Sequence, residues 1–257
     1  MSNNYFKYMP EDKTKKRKIA IIAGSRGEYG YYRPIIKEIM KRPNLDYGII
    51  VTNMHMLNSF GSSIEEIKKD NFKIHTAVYN TFDGYNYITM VKSHGVFMMQ
   101  LPELLAQMNA DMILIAGDRG EQMVAAMVGA YMYKPVAHIQ AGELSGNIDG
   151  MTRHAITKYA HLHFCANQDA ADRVIKMGEQ EFRVFNVGAP MLDELVQGYI
   201  TKPDQIYQRF NLKKDQPIIL LVMHSVTEEF EDAGKQMKAV MDAVSEFGYQ
   251  TILVLNT

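Results

Sequence analysis

Short apolar runs rich in β-branched residues alternate along the chain with longer segments in which apolar residues recur at a helical period. The runs predict seven strands, over residues 18–23, 47–52, 72–78, 111–116, 135–140, 162–166 and 183–187. The segments between them predict helices, over residues 32–41, 63–70, 87–108, 121–132, 151–161 and 170–177. Repeated strand and helix are typical of an α/β fold, a parallel sheet with helices on both faces.

Three local signals add detail to this pattern. Ser62, followed three residues later by Glu65, predicts a capping box for the second helix. Pro102 lies inside the longest helical segment and predicts a kink or a split there. The methionine-rich stretch 98–108 predicts a core stripe at helical spacing, and not a cofactor site.

The alternation breaks at residues 188–190 and resumes with a second, shorter unit. Residues 191–210 predict one or two helices, and the unit that follows is a strand, a helix and a strand over residues 217–223, 228–247 and 251–255. We therefore divide the chain into a basic solvated tail, an α/β domain, a helical linker and a second α/β domain, over residues 1–17, 18–190, 191–215 and 216–257. A lone βαβ unit leaves apolar surface uncovered, so the second domain is expected to be incomplete.

Composition narrows the class of protein. Of the 257 residues 47% are hydrophobic and 22% charged, as in an ordinary folded domain. With 28 Lys+Arg against 29 Asp+Glu the net charge is −1, which argues against a nucleic-acid or membrane-surface binder. Any anion-binding site must therefore depend on positive charge gathered at one place in the fold. The single cysteine, Cys165, cannot form an intrachain disulfide, and the apolar run 19–23 is too short to span a membrane. We expect a cytoplasmic protein without a zinc site.

Ligands of parallel α/β sheets bind beyond the carboxyl ends of the strands, so the residues after each strand are the first candidates. The first strand leads into Gly24–Gly30, where three glycines let the backbone approach an anion and Arg26 adds positive charge. The spacing matches neither a dinucleotide fingerprint nor a P-loop. A tight turn with a solvated Arg26 is an equal alternative.

Carboxylates follow the fourth and fifth predicted strands. Asp118 is either a catalytic acid or the N-cap of the following helix. Glu143 and Asp149 lie in the glycine-bearing loop after the fifth strand, where the alternative is a polar surface loop. Carboxylates held together repel, which raises at least one pKa and lets one group act as acid and another as base.

Basic and imidazole side chains complete the set of candidates. Arg153 and His154, at the start of a helix, are candidates to face the same pocket, whereas His161 and His163 are expected to be structural. His224 follows the first strand of the second unit, and is expected to face the cleft between the two units.

These segments together resemble the hydrolysing UDP-N-acetylglucosamine 2-epimerases, which open sialic-acid and related nonulosonic-acid biosynthesis. The resemblance runs in family order through residues 24–30, 117–119, 138–143, 145–149, 153–158, 187–190 and 224–228, and its most distinctive piece is Arg-His-Ala-Ile-Thr-Lys at 153–158. It implies two Rossmann-like domains, similar to the GT-B glycosyltransferases, with the nucleotide sugar in the cleft between them.

The resemblance also implies the reaction. UDP-N-acetylglucosamine, or a diacetamido analogue, would be converted with water to UDP and N-acetylmannosamine or its analogue, by elimination to a glycal and rehydration with inversion at C2. No redox cofactor and no obligatory metal is implied. The expected partner is a UDP-sugar, with no nucleic acid and no membrane, and the protein is expected to be a dimer or tetramer of itself.

Residue roles carry over from the matching motifs. The implied catalytic residues are Asp118, Glu143, Asp149 and His224, and the implied substrate-binding residues are Arg26, Gly27, Glu28, Arg119, Arg153, His154 and Ser225. Which carboxylate is acid and which is base stays open.

Two departures from the family pattern matter. Gln140 stands where many relatives carry a catalytic glutamate, and relatives continue well beyond the point matching Thr257. Two alternatives therefore remain: a catalytically silent chain or a subunit completed by a partner chain, and a GT-B sugar transferase. The transferase hypothesis does not explain the acidic loop 143–149.

Overall fold

The computed structural model describes residues 16–84, 86–224 and 226–254. The first sheet is parallel, in the order β3-β2-β1-β4-β5-β6-β7. Its strands are β1 Arg17–Ala23, β2 Leu45–Val51, β3 Ile74–Ala77, β4 Met112–Ala116, β5 Val136–Ile139, β6 Leu162–Cys165 and β7 Val184–Asn186. All seven strands predicted from the apolar runs are thereby confirmed.

Helices connect these strands and cover the sheet. They are α1 Arg26–Met40, α2 Ile64–Lys69, α3 Tyr87–Met108, α4 Gly120–Tyr131, α5 Ile148–Tyr159 and α6 Gln168–Lys176. Because side chains alternate along a strand, Ile21 packs on one face with α1, and Ile22 packs on the other face with α3 and α4. Both faces are therefore buried, as the uninterrupted apolar runs predicted.

The second unit begins after two short helices, α7 Asp193–Val196 and α8 Pro203–Arg209. Strand β8 Ile218–Val222 pairs in parallel with β9 Gln250–Val254, and helix α9 Ala233–Ser245 connects them. The predicted βαβ unit is confirmed. The domain boundaries themselves stay a prediction, and residues 1–15 of the predicted tail lie outside the described residues, while Arg17 is the first residue of β1.

The three local predictions had different outcomes, and the capping box was wrong. Ser63, and not Ser62, precedes α2, and Ser62 has a φ of 46° and donates its hydroxyl to Asn58 Oδ1 at 2.5 Å, so the predicted capping box does not form. Helix α3 continues through Pro102 without a split. The methionine stripe is only partly a core feature, since Met108 is buried while Met99 is exposed.

None of the described helices combines the length and the apolar character needed to cross a membrane.

Candidate active site

The candidate site lies where β1, β4 and β5 end, because these three strands are neighbours in the sheet. Their carboxyl ends carry the segments 24–30, 117–119 and 140–149, which the topology brings to one edge.

An ion pair between a buried arginine and a half-buried aspartate joins two of these segments. Arg153, on α5 and 7% exposed, donates through Nη2 to Asp118 Oδ2 and through Nη1 to the carbonyl oxygen of Gln140 at 2.8 Å. Ser145 Oγ lies 3.4 Å from the same Asp118 oxygen. Gln140 has a φ of 63°, in the left-handed region that few non-glycine residues adopt. Arg153 therefore fixes the end of β4 relative to the end of β5.

Asp149 lies in the first turn of α5 and interacts with this pair. Burial raises the pKa of its carboxyl, and the negative charge of Asp118 raises it further, while Arg119 lowers it. Two of the three acids expected at this edge, Asp118 and Asp149, therefore interact electrostatically. Asp149 is thus able to hold a proton at a higher pH than an exposed aspartate.

Glu143 lies in the loop between β5 and α5, near the end of β6. Its Oε1 accepts a hydrogen bond from Asn167 Nδ2 at 3.0 Å, and its charge contributes, after burial, to raising the pKa of the Cys165 thiol to about 11. The preceding Gly142 has a φ of 79°, and a Cβ there would overlap the carbonyl oxygen of Ala170. Only glycine lets this loop approach α6 so closely.

Tyr31 belongs to the site although the sequence analysis missed it. Burial raises the pKa of its phenol, and the charges of Asp118 and Glu143 act in the same direction while Arg153 opposes them. The hydroxyl therefore lies within electrostatic reach of both carboxylates. The available signal was helical spacing, since Tyr31 is four residues after Gly27 and so lies on the same face of α1.

The other predicted binding residues divide into exposed and buried groups. Arg26 and Gly27 are exposed in the first turn of the 15-residue helix α1, where the helix dipole favours an anion. Glu28 is buried, and its carboxylate accepts hydrogen bonds from backbone N–H groups, so it does not face the edge of the sheet.

His154 lines a cavity of about 540 Å³ together with loop residues, which are Leu144, Ser145, Gly146, Asn147, Ile148, Gly150 and Met151. Its Nε2 is buried and has no hydrogen-bond partner among the described residues. The three predicted acids do not line this cavity.

The second unit contributes one described candidate. His224 is exposed at the end of β8, and within residues 16–84, 86–224 and 226–254 it has no hydrogen bond or ion pair to the edge of the first sheet. Ser225 lies outside the described residues. In the part of the chain that the structure describes, no three His, Cys, Asp or Glu side chains are placed to hold a metal ion.

The fold and this edge define a parallel α/β protein with interacting carboxylates, a buried arginine and an exposed helix N-terminus at the usual ligand position. The sequence profile of the family described as UDP-N-acetylglucosamine 2-epimerase matches residues 37–257, and the chain belongs to this family.

Individual relatives agree with this assignment. The chain is 35% identical over 236 residues to a UDP-N,N'-diacetylbacillosamine 2-epimerase (hydrolyzing) of Legionella pneumophila, covering 92% of this chain and 63% of that protein. It is 31% identical to a UDP-N-acetylglucosamine 2-epimerase of Neisseria meningitidis, covering 83% of this chain and 55% of that protein. The chain therefore spans about 60% of the length of these relatives.

Solved structures show the same fold. A UDP-GlcNAc 2-epimerase from Neisseria meningitidis, bound to UDP-GlcNAc, superposes with a TM-score of 0.77 at 19% identity, over 93% of this chain and 66% of that one. The Methanocaldococcus jannaschii UDP-GlcNAc 2-epimerase, in complex with UDP-GlcNAc and UDP, superposes with a TM-score of 0.75 at 20% identity. The predicted α/β class with a GT-B-like arrangement is confirmed.

Proposed function

We propose that this chain carries the acid-base half of a hydrolysing 2-epimerase, which converts UDP-N-acetylglucosamine or a diacetamido analogue to UDP and the 2-epimeric sugar. The observation that carries the proposal is the electrostatic interaction of Asp149, whose pKa is raised, with the Asp118–Arg153 ion pair at the edge of the sheet. Support comes from the names of the relatives, which include hydrolysing enzymes acting on diacetamido UDP-sugars.

The chemistry requires such a cluster. The C2 hydrogen of the sugar is not acidic while UDP is attached. As the bond from C1 to the diphosphate oxygen breaks, positive charge develops on the ring and a positioned carboxylate can remove the C2 proton, which leaves a glycal. Water then adds at C1, and a proton returns to C2 from the opposite face. The second proton transfer needs a group that holds a proton at neutral pH.

The residues suit these tasks to different degrees. We assign the acid to Asp149, because burial and the charge of Asp118 raise its pKa and so favour proton uptake by its carboxyl. We assign the base to Glu143, whose Oε1 accepts from the neutral Asn167 amide and not from a cation. Asp118, paired with Arg153, would orient water.

The remaining residues would bind the substrate. Arg26 and the N-terminus of α1 would receive the diphosphate, and Arg119 would lie beside it. His154 would contact the sugar. His224 would protonate the leaving diphosphate, together with Ser225, if the second unit closes on the first.

Incubation of the chain with UDP-N-acetylglucosamine in heavy water tests the proposal. We expect release of UDP and deuterium at C2 of the mannosamine product, measured by NMR. Asp149→Asn should slow the reaction by about 10²–10⁴-fold, the usual contribution of a general acid or base. Asp172→Asn, a change on the exposed face of α6, is the matched control and should leave the rate unchanged. UDP release without deuterium at C2 would contradict the elimination.

A further inference from the structure

Two glutamates are buried beneath the candidate site, on different helices. Glu28 on α1 is 3% exposed and Glu121 on α4 is 1% exposed. Two carboxylates that are both ionised and buried repel each other and lose their hydration, which makes that state costly. The partners of each oxygen therefore decide which charge state is stable.

The two oxygens of Glu28 have very different surroundings. Oε2 accepts hydrogen bonds from Gly24 N at 2.8 Å, Ser25 N at 3.2 Å and Gln122 Nε2 at 2.8 Å. Oε1 is buried and makes no hydrogen bond within the described residues, with Arg119 Nε 4.0 Å away. One oxygen is thus saturated and the other lacks a partner.

Glu121 shows the same asymmetry. Its Oε1 lies 3.2 Å from Arg119 Nε, whereas its Oε2 is buried and lacks a hydrogen-bond partner in the described part of the chain. The carboxylate is pressed against the end of β1, since a Cβ on Gly24 would overlap Oε1. The same Arg119 nitrogen therefore faces both glutamates, and one oxygen on each lacks a donor.

We propose that Glu28 and Glu121 share one proton at neutral pH and together position Arg119 at the edge of the sheet, where it meets the anionic group of the substrate. With one proton the two glutamates and Arg119 carry no net charge, and the proton turns one of the two partnerless carboxylates into a neutral acid, which removes the cost of burying a second charge. The identity of the anion rests on the proposed function, but the shared proton does not.

The surrounding groups support this charge state. Burial raises the pKa of Glu28 well above its usual range, and the charge of Glu121 raises it further against the opposing effect of Arg119. Burial lowers the pKa of His55 on the β2 side to about 4, and it also lowers the pKa of His94 on α3. Both imidazoles are therefore neutral at pH 7.

The remaining charged or titratable neighbours among the described residues are Tyr31, Tyr32, Arg26 and Asp149. Burial raises the pKa of Tyr31, so its phenol is neutral at pH 7. Tyr32 donates its hydroxyl to Gln122 Oε1 at 3.3 Å and is neutral, because burial raises the pKa of its phenol well above the usual value. The charge of Arg26 lowers the pKa of His55, and the charge of Asp149 raises the pKa of Arg119. Arg26 and Asp149 therefore interact with residues around the two glutamates. Arg119 lies against both carboxylates, with its Nε 3.2 Å from Glu121 Oε1 and 4.0 Å from Glu28 Oε1.

Infrared spectroscopy of the chain at pH 7 tests the shared proton without any ligand. We expect the carbonyl stretch of a neutral carboxylic acid, lost in both Glu28→Gln and Glu121→Gln. Loss in both variants distinguishes a shared proton from a glutamate that is neutral through burial alone. Glu66→Gln, at an exposed position on α2, is the matched control and should keep the band. Asp149→Asn identifies any contribution from that second raised carboxyl.

Two infrared results would overturn the proposal: no such band in the wild-type chain, or a band that persists in Glu121→Gln. The first of these results needs the wild-type spectrum alone, so the proposal can be overturned even if a variant fails to fold.

Calorimetric titration with UDP at a series of pH values from 7 upwards tests the positioning of Arg119. Loss of the shared proton leaves one extra negative charge, so we expect wild-type affinity to fall about two- to fivefold at the pH where the proton leaves, and the fall to be absent in Glu28→Gln. Equal pH profiles would overturn the positioning role. If UDP does not bind at any pH, the proposed function and the positioning role both fail, while the infrared result still decides the shared proton.

Discussion

The two sheets of this molecule are built from similar apolar runs but reach different degrees of burial. Strand β4 reads Met-Ile-Leu-Ile-Ala and is almost entirely buried, whereas β8 reads Ile-Ile-Leu-Leu-Val and alternates between exposed and half-buried positions. Leu114 of β4 is 6% exposed and Leu220 of β8 is 64% exposed. Apolar composition therefore predicts a strand, but burial depends on what covers it.

The difference follows from the neighbours of each strand. β4 pairs with β1 and β5, and helices cover both of its faces. Within the described residues β8 pairs with β9, and the connecting helix α9 has no buried residue. We therefore expect most of the free energy of unfolding to depend on the first sheet, and each prediction below compares the two regions.

Matched leucine truncations should give the largest difference. Leu114→Ala removes buried methyl groups and leaves a cavity, so we expect a loss of about 2–5 kcal/mol in the free energy of unfolding. Leu220→Ala should change it by less than about 0.5 kcal/mol, because the side chain is already largely exposed. Urea denaturation measures both values. Equal losses would show that the second sheet is as well covered as the first.

Two glutamines allow the same comparison for polar groups. Gln122 donates to the carbonyl oxygen of Ile22 at 3.1 Å and to Glu28 Oε2, and it is fully buried. Gln250 makes an analogous pair of contacts to the Lys213 backbone but at the surface. Gln122→Ala removes one donor from each of two buried acceptors and should cost about 1–3 kcal/mol, against less than about 0.5 kcal/mol for Gln250→Ala. Thermal and urea unfolding of both variants measure these losses. A larger loss in Gln250→Ala than in Gln122→Ala would show that the exposed contacts contribute more to stability.

Histidines provide a smaller, pH-dependent contrast. Burial lowers the pKa of His138 to about 3, and its Nε2 donates to the carbonyl oxygen of Gly117 at 2.6 Å. In the unfolded chain the imidazole of His138 takes up a proton near pH 6.5, whereas in the folded chain it stays neutral down to about pH 3. The stability present above pH 6.5 is therefore lost as the pH falls towards 3, and the unfolding equilibrium constant rises about tenfold per pH unit.

Replacing His138 tests this linkage against a histidine of the second unit. In His138→Gln the number of protons taken up on unfolding between pH 6.5 and pH 4 should fall by one, which flattens the dependence of the unfolding free energy on pH. His224→Gln, at an exposed position, should leave this slope unchanged. An unchanged slope in His138→Gln would show that His138 is protonated in the folded state.

The sequence predicted the strands well because their apolar runs are short, β-branched and bounded by polar residues. It placed the start of α1 six residues late, at Tyr32 and not at Arg26. The missed turns contain Gly27 and Gly30, which weaken a helical pattern, and they form because Glu28 accepts hydrogen bonds from Gly24 N and Ser25 N at the helix start.

The candidate site was predicted in part. Asp118, Asp149 and Arg153 follow strands or open a helix, so topology alone placed them at one edge. Glu121 and Gln122 were missed because their roles depend on contacts between α1, β1 and α4, which no local spacing encodes. Tyr31 was missed although its spacing from Gly27 places it on the same face of α1. Glu28 was assigned to the substrate, but it is turned towards the protein backbone.

The order of apolar and polar residues by itself determined the succession of strands and helices, the parallel sheet and the edge at which the acids collect, because these follow from backbone geometry and side-chain period. Only the tertiary structure decided which acid has a raised pKa, which arginine pairs with Asp118 and which glutamates are buried together. Those properties depend on burial and on charges contributed by distant segments, and such distances exist only after the chain has packed.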